Sequence, residues 1–420
     1  MAVFKYNRVD FFFTCLGLLF LLLDIGLDIF AAVSFYQEKE YVSLGFLLLF
    51  LLGSSVLVQT YSWLWYSYEN FERETKVESC LSKGQLRLLH YLQLGIYFRH
   101  AGVLEVSLRS FFAEVPNPEG FAVYLSHDLA MLRIIETFSE STPQLVLMLT
   151  IMLQWGELDP VTVLKAIGSA SAVAFSVTTY HRSLRSFLTE KEKQPITSSV
   201  VYFLWNLSII MSRLTALALF ASVLPCFIFA HFVCSWLLLF FCAWRSKTDF
   251  MDAPCGEWLF RATVALIWYF AWFNVTEGKT RNRTLLYHGY KLADISLLCG
   301  LWCWKMSTEE FYFQIPQWEA IIAAVSVVAL YTFGLFLKVI YYKFYHPNLY
   351  KESPRAGDEV DFPKDLEMGD SHTPQIQSLK LDMDSDVSDR GIRFRSEPSP
   401  PPPSIRQNKR MRKLAENFYS

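Results

Sequence analysis

Ten long apolar segments dominate the sequence and limit the folds it can adopt. They lie at about 9–33, 41–66, 85–108, 121–154, 160–180, 198–222, 224–245, 257–276, 284–306 and 317–344. Several approach the roughly 20 residues that an α-helix needs to cross a bilayer core. Backbone polar groups must be paired inside hydrocarbon, and the segments are long rather than short and alternating, so helices are favoured over a β-barrel. The sequence therefore predicts an all-α polytopic membrane protein.

The number of true spans depends on the third and eighth segments, which are the weakest. These two segments are interrupted by His, Arg or Gly, or have charged residues at their ends. The residues "DAPCG" also precede the eighth segment. If both are re-entrant or interfacial helices, eight spans remain and both chain ends face the same side, whereas ten full spans would change the loop assignments. With eight spans, Lys and Arg concentrate in loops such as "HRSLRSFLTEKEKQ". We therefore expect a multi-pass membrane protein with cytosolic termini and an uncleaved first anchor.

The order of the segments indicates two weakly repeated halves, at residues 1–180 and 181–345, followed by a tail at 346–420. In each half, the third segment is the one that is weakest as a membrane span. The fourth segment of each half carries a cation three residues before an acid. These pairs are Arg133 with Glu136 and Lys291 with Asp294, and their spacing allows each pair to neutralise itself on one helical face. Paired halves are typical of membrane transport folds. Coincidence of a four-residue pattern is the alternative.

Polar and ionisable side chains interrupt three of the apolar segments at spacings that place them on one helical face. They are Asp10, Asp24 and Asp28 in the first segment, Arg133, Glu136, Glu140 and Gln144 in the fourth, and Asn206 and Arg213 in the sixth. An ionised side chain at bilayer depth costs at least about 2.5–3.5 kcal/mol, so these groups must face each other or water. The sequence predicts a polar seam through the helix bundle.

Two interpretations of this seam remain open. In the first, Asp24 and Asp28 pair with Arg213 or Arg133 in a buried network that only fixes the order of the helices. In the second, the seam is a hydrophilic track for polar substrate groups. Pro143 favours the second, because it removes one helical hydrogen bond and opens the helix next to Glu140. Such an irregularity is tolerated only against protein or water, which predicts a polar cavity at 139–144.

Motifs of conventional catalysis are missing from the sequence. It contains no phosphate-binding glycine loop, no HExxH, no GxSxG and no CxxC. Cys299 and Cys303, one helical turn apart, are expected to be packing residues. His127, His231 and His288 are expected to be helix-packing or interface residues rather than ligands. We therefore expect no enzyme activity, catalytic residue, metal ion, cofactor or nucleic-acid partner.

The run "ETFSESTPQLVLML" closely resembles the signature of the XK-related membrane proteins. The acidic first segment and "YKLADI" are similar to theirs too, and the resemblance covers roughly residues 1–345. It implies about eight transmembrane helices plus two membrane-inserted helices in two pseudo-repeated halves. The family's intramembrane charges map here onto Asp10, Asp24, Asp28, Arg133, Glu136, Glu140, Arg213, Lys291 and Asp294.

The resemblance is strongest to the apoptotic, caspase-activated members of the family, which implies an energy-independent phospholipid scramblase that exposes phosphatidylserine. It also implies a location in the plasma membrane. A monomer and a complex with a single-span chaperone subunit, as in one similar family member, are both open. The family does not share one activity, because its founding member resembles a partner of a lipid-transfer protein. A gated channel or solute transporter, or a non-scrambling scaffold, is therefore the alternative.

The chain changes character after about Tyr345. Acidic clusters, a proline-rich run at Pro398–Pro403 and a final basic stretch, "RQNKRMRKLAENF", predict a largely disordered cytosolic tail that cannot bury a core. The basic end either binds anionic inner-leaflet lipid, docks on the bundle, or is simply solvated.

Asp358, Glu359, Val360 and Asp361 match the preferred recognition sequence of executioner caspases. These enzymes require an accessible, extended segment, which chain termini supply. A chance tetrapeptide in an acidic tail is the alternative, and Phe362 is bulkier than the residue usually favoured after the cut. Asp384 and Asp389 are weaker candidates. The resemblance implies removal of an inhibitory tail, so we expect cleavage after Asp361 to release residues 362–420 and to start phosphatidylserine exposure.

Overall fold

A computed structural model describes residues 8–68, 75–112, 119–156, 160–187, 194–246, 248–275, 281–308 and 316–346. The predicted caspase site and the rest of the tail lie outside these residues. Within them, stretches such as residues 248–253 and 271–275 are irregular, and the only regular secondary structure is helical, with thirteen α-helices and no strand. They are α1 (Arg8–Gln37), α2 (Tyr41–Tyr68), α3 (Lys76–Ser79), α4 (Lys83–Tyr91), α5 (Gly95–Phe112), α6 (Glu119–Ser139), α7 (Ser141–Trp155), α8 (Pro160–Phe187), α9 (Ile196–Val223), α10 (Pro225–Arg245), α11 (Pro254–Phe270), α12 (Arg281–Thr308) and α13 (Gln317–Ile340), which a π-helical turn (Tyr341–Tyr345) extends.

Each of the ten apolar segments forms helix, and the third and fourth segments each form two. α4 and α5 together make the third segment, and α6 and α7 make the fourth. Five helices are long and apolar enough to cross a bilayer, namely α1, α2, α9, α10 and α13 with its π-helical turn. α11 has 17 residues, and at 1.5 Å per residue it extends only roughly 26 Å, less than the roughly 30 Å of a hydrocarbon core. The all-α polytopic prediction is confirmed.

α9 forms the centre of the bundle, while α1 lies at its edge. In the most apolar stretch of each helix, 67% of the residues of α9 are buried but only 11% of those of α1. α9 packs against α7, α8, α12 and α13. α1 instead exposes large apolar side chains such as Leu22 and Ile29, as a lipid-facing helix does. The charges of α1 therefore lie on a helix whose other faces are accessible to lipid.

α4 and α5 are held against α2 by a buried arginine. The Arg99 side chain donates to the Ser62 hydroxyl at 2.8 Å and to the Ser62 carbonyl at 3.1 Å. Its guanidinium carbon lies 3.8 Å from the centroid of the Tyr66 ring. Ser62 also contacts the His90 ring at 2.9 Å. The arginine that interrupts the third apolar segment thus anchors the helix pair and does not face lipid.

Gly334 sets how closely α13 approaches α9. A β-carbon at this position would lie 2.7 Å from Cγ1 of Ile209 and 3.2 Å from Cβ of Ser208. We therefore expect Gly334→Ala to lower the thermal midpoint of the detergent-purified protein, because overpacking costs about 1–3 kcal/mol. Gly300→Ala on α12 is the matched control, since nothing lies within 4 Å of its β-carbon position. Equal midpoints in the two variants would contradict this close approach.

Candidate functional site

The helix of the SESTPQ run breaks at Glu140. α6 ends at Ser139 and α7 begins at Ser141, because Pro143 has no amide hydrogen to continue the helix. Glu140 takes the non-helical φ of −126° and ψ of −77°. The Thr142 hydroxyl donates to the carbonyl of Thr137 at 2.8 Å across the break. The predicted irregularity beside Glu140 is confirmed, and hydroxyl groups satisfy part of the backbone there.

The two aspartates in the middle of α1 face this break. Ser141 donates its hydroxyl to Oδ2 of Asp24 at 3.1 Å. The side chain of Asp28, which is 8% exposed, lies beside that of Glu140. On the other side, the neighbouring Ser139 hydroxyl donates to Ser54 on α2 at 2.9 Å. The break therefore brings the acidic residues of α1 and of the fourth segment together.

Arg133 and Glu136 form the ion pair that their spacing predicts. The Arg133 Nη1 and Glu136 Oε2 atoms are 2.9 Å apart on α6. The pair lies one to two turns before the break, next to Asp24. Of the predicted partners of the α1 aspartates, Arg133 is thus nearby, while Arg213 is engaged elsewhere.

A polar cavity of about 380 Å³ opens along α1 at this point. Its lining combines carboxylates, a guanidinium, hydroxyls and an amide with aromatic rings. The polar residues are Asp24, Asp28, Ser34, Glu38, Arg133, Thr137, Ser141, Gln144, Ser169 and Ser176. Phe30 and Trp155 also line it and are about half exposed on the bundle surface. The polar cavity predicted around 139–144 is therefore present, and it reaches the lipid-facing surface.

A second, smaller cavity of about 110 Å³ continues along α1 towards its N-terminus. The two cavities share Phe20, Arg133 and Ser176 in their linings. The second contains Asp10, whose carboxylate lies 3.6 Å from the guanidinium of Arg182 on α8. Together they form a polar track along α1, which we call the α1 track.

Arg182 was not among the intramembrane charges predicted from the sequence, because the residues around it have the composition of a charged loop. The one sequence feature that could have indicated it is a cation at the end of an apolar segment.

A second ionic cluster lies in the other half of the chain and is sealed. Arg213 on α9, 1% exposed, lies 2.7 Å from Asp294 on α12. His231 on α10 contacts the other carboxylate oxygen of Asp294 at 3.0 Å and the Tyr269 hydroxyl at 3.0 Å. None of these residues lines either cavity of the α1 track. His231, expected to be a packing residue, is thus a polar partner of this cluster.

Lys291 does not form the ion pair that its spacing to Asp294 suggested. Its ammonium donates to the main-chain carbonyl of Tyr269 at 3.0 Å. It also lies over three tyrosine rings, those of Tyr269, Tyr287 and Tyr290, at 5.0–5.8 Å from their centroids. Asp294 turns instead towards Arg213, which comes from another helix and is closer in space.

The structure therefore divides the predicted intramembrane residues into two groups. Asp24, Asp28, Arg133, Glu136 and Glu140 come together at the helix break, and Asp10 lies further along the same track. Arg213, Lys291 and Asp294 form the sealed cluster, while the side-chain amide of Asn206 donates to the main-chain carbonyl of Tyr202 in its own helix at 2.8 Å. In the part of the chain that the structure describes, no group of three or more His, Cys, Asp or Glu residues is arranged to hold a metal ion.

Comparison with known proteins gives a consistent assignment. The family model described as XK-related protein matches residues 12–347. XK-related protein 8 of Tetraodon nigroviridis is 38% identical and covers 100% of this chain and 98% of its own length. The protein of the same name from Gasterosteus aculeatus is 39% identical over 86% of this chain and 89% of its own. That from Pan troglodytes is 33% identical over 96% and 92%. The chain therefore belongs to the XK-related family of membrane proteins.

Proposed function

We propose that the protein is a phospholipid scramblase that moves lipids between leaflets without an energy source. The observation that carries this proposal is the α1 track, a polar path on a helix at the edge of the bundle. Polar groups at bilayer depth are costly when they face lipid and mark substrate paths when they line a cavity. A path that reaches the bundle surface suits a substrate that is polar at one end and apolar along its tails.

The chemistry of the track matches a phospholipid headgroup. A headgroup moves along the polar side chains while its acyl chains stay in the lipid beside α1. Arg133 suits the phosphate, because guanidinium groups bind phosphate oxygens with charge-assisted hydrogen bonds. The carboxylates of Asp24 and Asp28 suit the amines of serine, ethanolamine or choline. The direction of net movement follows the existing lipid gradient, so phosphatidylserine held in the inner leaflet would appear outside.

The orientation follows from the positive-inside rule. The loops that carry most of the Lys and Arg are expected in the cytosol, which places the Asp10 end of the track inside and Glu38 outside. We propose the plasma membrane as the location, with both termini cytosolic. The track then begins at the Asp10–Arg182 pair on the inner side and ends in the larger cavity on the outer side.

Regulation by the tail completes the proposal, since an open path would erase the asymmetry of the two leaflets. Residues 358–361 supply a caspase recognition sequence shortly after the last helix. We propose that an executioner caspase removes residues 362–420 in dying cells and thereby activates scrambling. Cleavage is irreversible, which suits a signal that commits a cell to removal.

Reconstitution tests the proposed function. The full chain, untreated or treated with an executioner caspase, is inserted into liposomes with acyl-chain-labelled phosphatidylcholine. An impermeant reductant then bleaches the outer leaflet. We expect bleaching beyond the outer-leaflet fraction in vesicles that contain the caspase-treated protein, and not in vesicles with the untreated protein or without protein. Ion flux without lipid movement would identify a channel or transporter, and movement of neither would identify a scaffold.

A further inference from the structure

The larger cavity of the α1 track carries more acid than base. Among the side chains that the structure describes, its ionisable lining consists of Asp24, Asp28 and Glu38 against Arg133. The side chain of Glu140, which is not part of this lining, lies beside Asp28. A cavity lined mostly by one sign of charge, with low-dielectric walls, concentrates ligands of the opposite sign. This lining therefore favours a cationic group.

Arg133 only partly offsets this excess, because the carboxylate of Glu136 already holds it. Its Nη1 atom lies 2.9 Å from Oε2 of Glu136. Asp24 instead receives a hydrogen bond from the Ser141 hydroxyl, a neutral donor. Beside the two α1 aspartates, the described residues thus place Ser141, Gln144, a further carboxyl group from Glu140, and one guanidinium that is shared with Glu136.

Gln144 provides a second observation that points to a ligand. Its side chain is 6% exposed and lines the larger cavity. The carboxyl group of Asp28 lies next to this amide, and the amide nitrogen forms no hydrogen bond of normal length with the described residues. A buried donor without an acceptor is costly, and a ligand oxygen in the cavity would remove that cost. Phosphate and ester oxygens lie next to the ammonium group in a phospholipid, so one headgroup would satisfy both Gln144 and the aspartates.

The remaining lining distinguishes an organic cation from a metal ion. Phe20, Phe30, Phe35 and Trp155 line the same cavity. Aromatic faces attract ammonium groups, and such rings are the usual partners of quaternary ammonium ligands. The carboxylates, in contrast, do not form a group of three that could hold a metal ion within the described residues. A lining of carboxyl groups and aromatic rings can therefore bind an ammonium group that carries methylene or methyl groups.

We propose that this cavity binds the ammonium group of a phospholipid headgroup, and that Asp24 and Asp28 make the path selective for phospholipids that carry an amine. This inference rests on the proposed function and specifies its substrate class. Phosphatidylcholine, phosphatidylethanolamine and phosphatidylserine belong to the favoured class. Phosphatidylglycerol, which has a phosphate but no amine, does not.

Phosphatidylserine and phosphatidylglycerol are the decisive pair of substrates, because both carry one net negative charge and only the first has an amine. Each carries its fluorophore on an acyl chain, so the headgroup is unmodified, and both are assayed with the caspase-treated protein in liposomes of the same composition. We expect phosphatidylglycerol to move about tenfold more slowly, equivalent to about 1.4 kcal/mol in the barrier. Equal rates would overturn the inference while leaving the proposed function intact. Failure to move any lipid, phosphatidylcholine included, would refute the proposed function.

The double variant Asp24→Asn, Asp28→Asn assigns the selectivity to the cavity. It replaces two carboxyl groups with amides and changes the side-chain size little. We expect slower movement of phosphatidylserine and an unchanged rate for phosphatidylglycerol, so the ratio of the two rates falls towards one. Asp252→Asn is the matched control, because the same change is made at an exposed residue outside the cavity. A folded double variant that keeps the wild-type ratio would overturn the role of these aspartates.

A binding measurement tests the site without transport. We expect short-chain dihexanoylphosphatidylserine to raise the thermal midpoint of the detergent-purified full chain, since a ligand that binds the folded state stabilises it. Dihexanoylphosphatidylglycerol is expected to give a smaller shift. Choline chloride alone is expected to give none. A shift from choline chloride equal to that from dihexanoylphosphatidylcholine would assign the cavity to a free organic cation and overturn the assignment to lipid.

Discussion

Cells that carry the Asp361→Ala protein are expected not to expose phosphatidylserine when they die. Executioner caspases require Asp immediately before the scissile bond, and Asp358 and Asp361 occupy the two positions that matter most for recognition. Alanine at position 361 therefore leaves residues 362–420 attached. The measurement is annexin binding after an apoptotic stimulus in cells that lack other scramblases, with the size of the protein followed in the same samples. We expect near-complete loss of annexin binding.

Asp384→Ala and Asp389→Ala are the matched controls for this prediction. Both make the same change in the same tail, at the weaker candidate positions. We expect these variants to be cut after Asp361 and to expose phosphatidylserine normally. If the Asp361→Ala protein exposes phosphatidylserine with its tail intact, cleavage of the tail does not control activity. The match at residues 358–361 would then be a coincidence of an acidic tail.

The break at Glu140 shows what the sequence predicts well. Pro143 removes a hydrogen bond that any helix would need at that position, so the irregularity depends only on local covalent structure. The Arg133–Glu136 pair is local in the same sense, because residues three apart on a helix are neighbours in any fold. The polar cavity followed from both, together with the cost of exposing such groups to lipid. These features required no knowledge of how the helices pack.

Ion pairs between residues of different helices were harder to predict from the sequence. The spacing of Lys291 and Asp294 predicted a local pair, yet Asp294 lies 2.7 Å from Arg213, about 80 residues earlier in the chain. Arg182, which faces Asp10, looked like part of a charged loop. Which of several cations an acid contacts depends on the packing of helices distant in sequence. The spacing of polar residues predicts which side chains share one face of a helix. It does not predict which other helix packs against that face.

Burial also separates two roles that the sequence left together. Asp24 and Asp28 line a cavity that reaches the bundle surface, whereas Arg213 and Asp294 line neither cavity. The interpretations of the polar seam as a structural network and as a track are therefore not exclusive. We infer that the sealed cluster holds α9, α10 and α12 together, and that the α1 track serves transport.

Asp294→Ala is expected to be among the most destabilising single changes in the helix bundle. It leaves the guanidinium of Arg213, 1% exposed, with the main-chain carbonyl of Tyr269 at 3.2 Å but without its carboxylate. It also removes a partner of His231. Removing one member of a buried ion pair costs about 3–5 kcal/mol, because the other charge remains buried and uncompensated. The measurements are the surface level in cells and the thermal midpoint in detergent, with Asp252→Ala as an exposed control.

The double variant Arg213→Met, Asp294→Leu tests whether this cost comes from an uncompensated charge. Replacing both partners of a buried ion pair with apolar side chains is often neutral or stabilising. We therefore expect the double variant to be more stable than either Arg213→Met or Asp294→Leu alone. A double variant at least as unstable as the sum of the single changes would contradict the pairing. Because neither residue lines the α1 track, the recovered protein should scramble phosphatidylcholine at the wild-type rate. A folded double variant without scrambling would instead place this cluster on the lipid path.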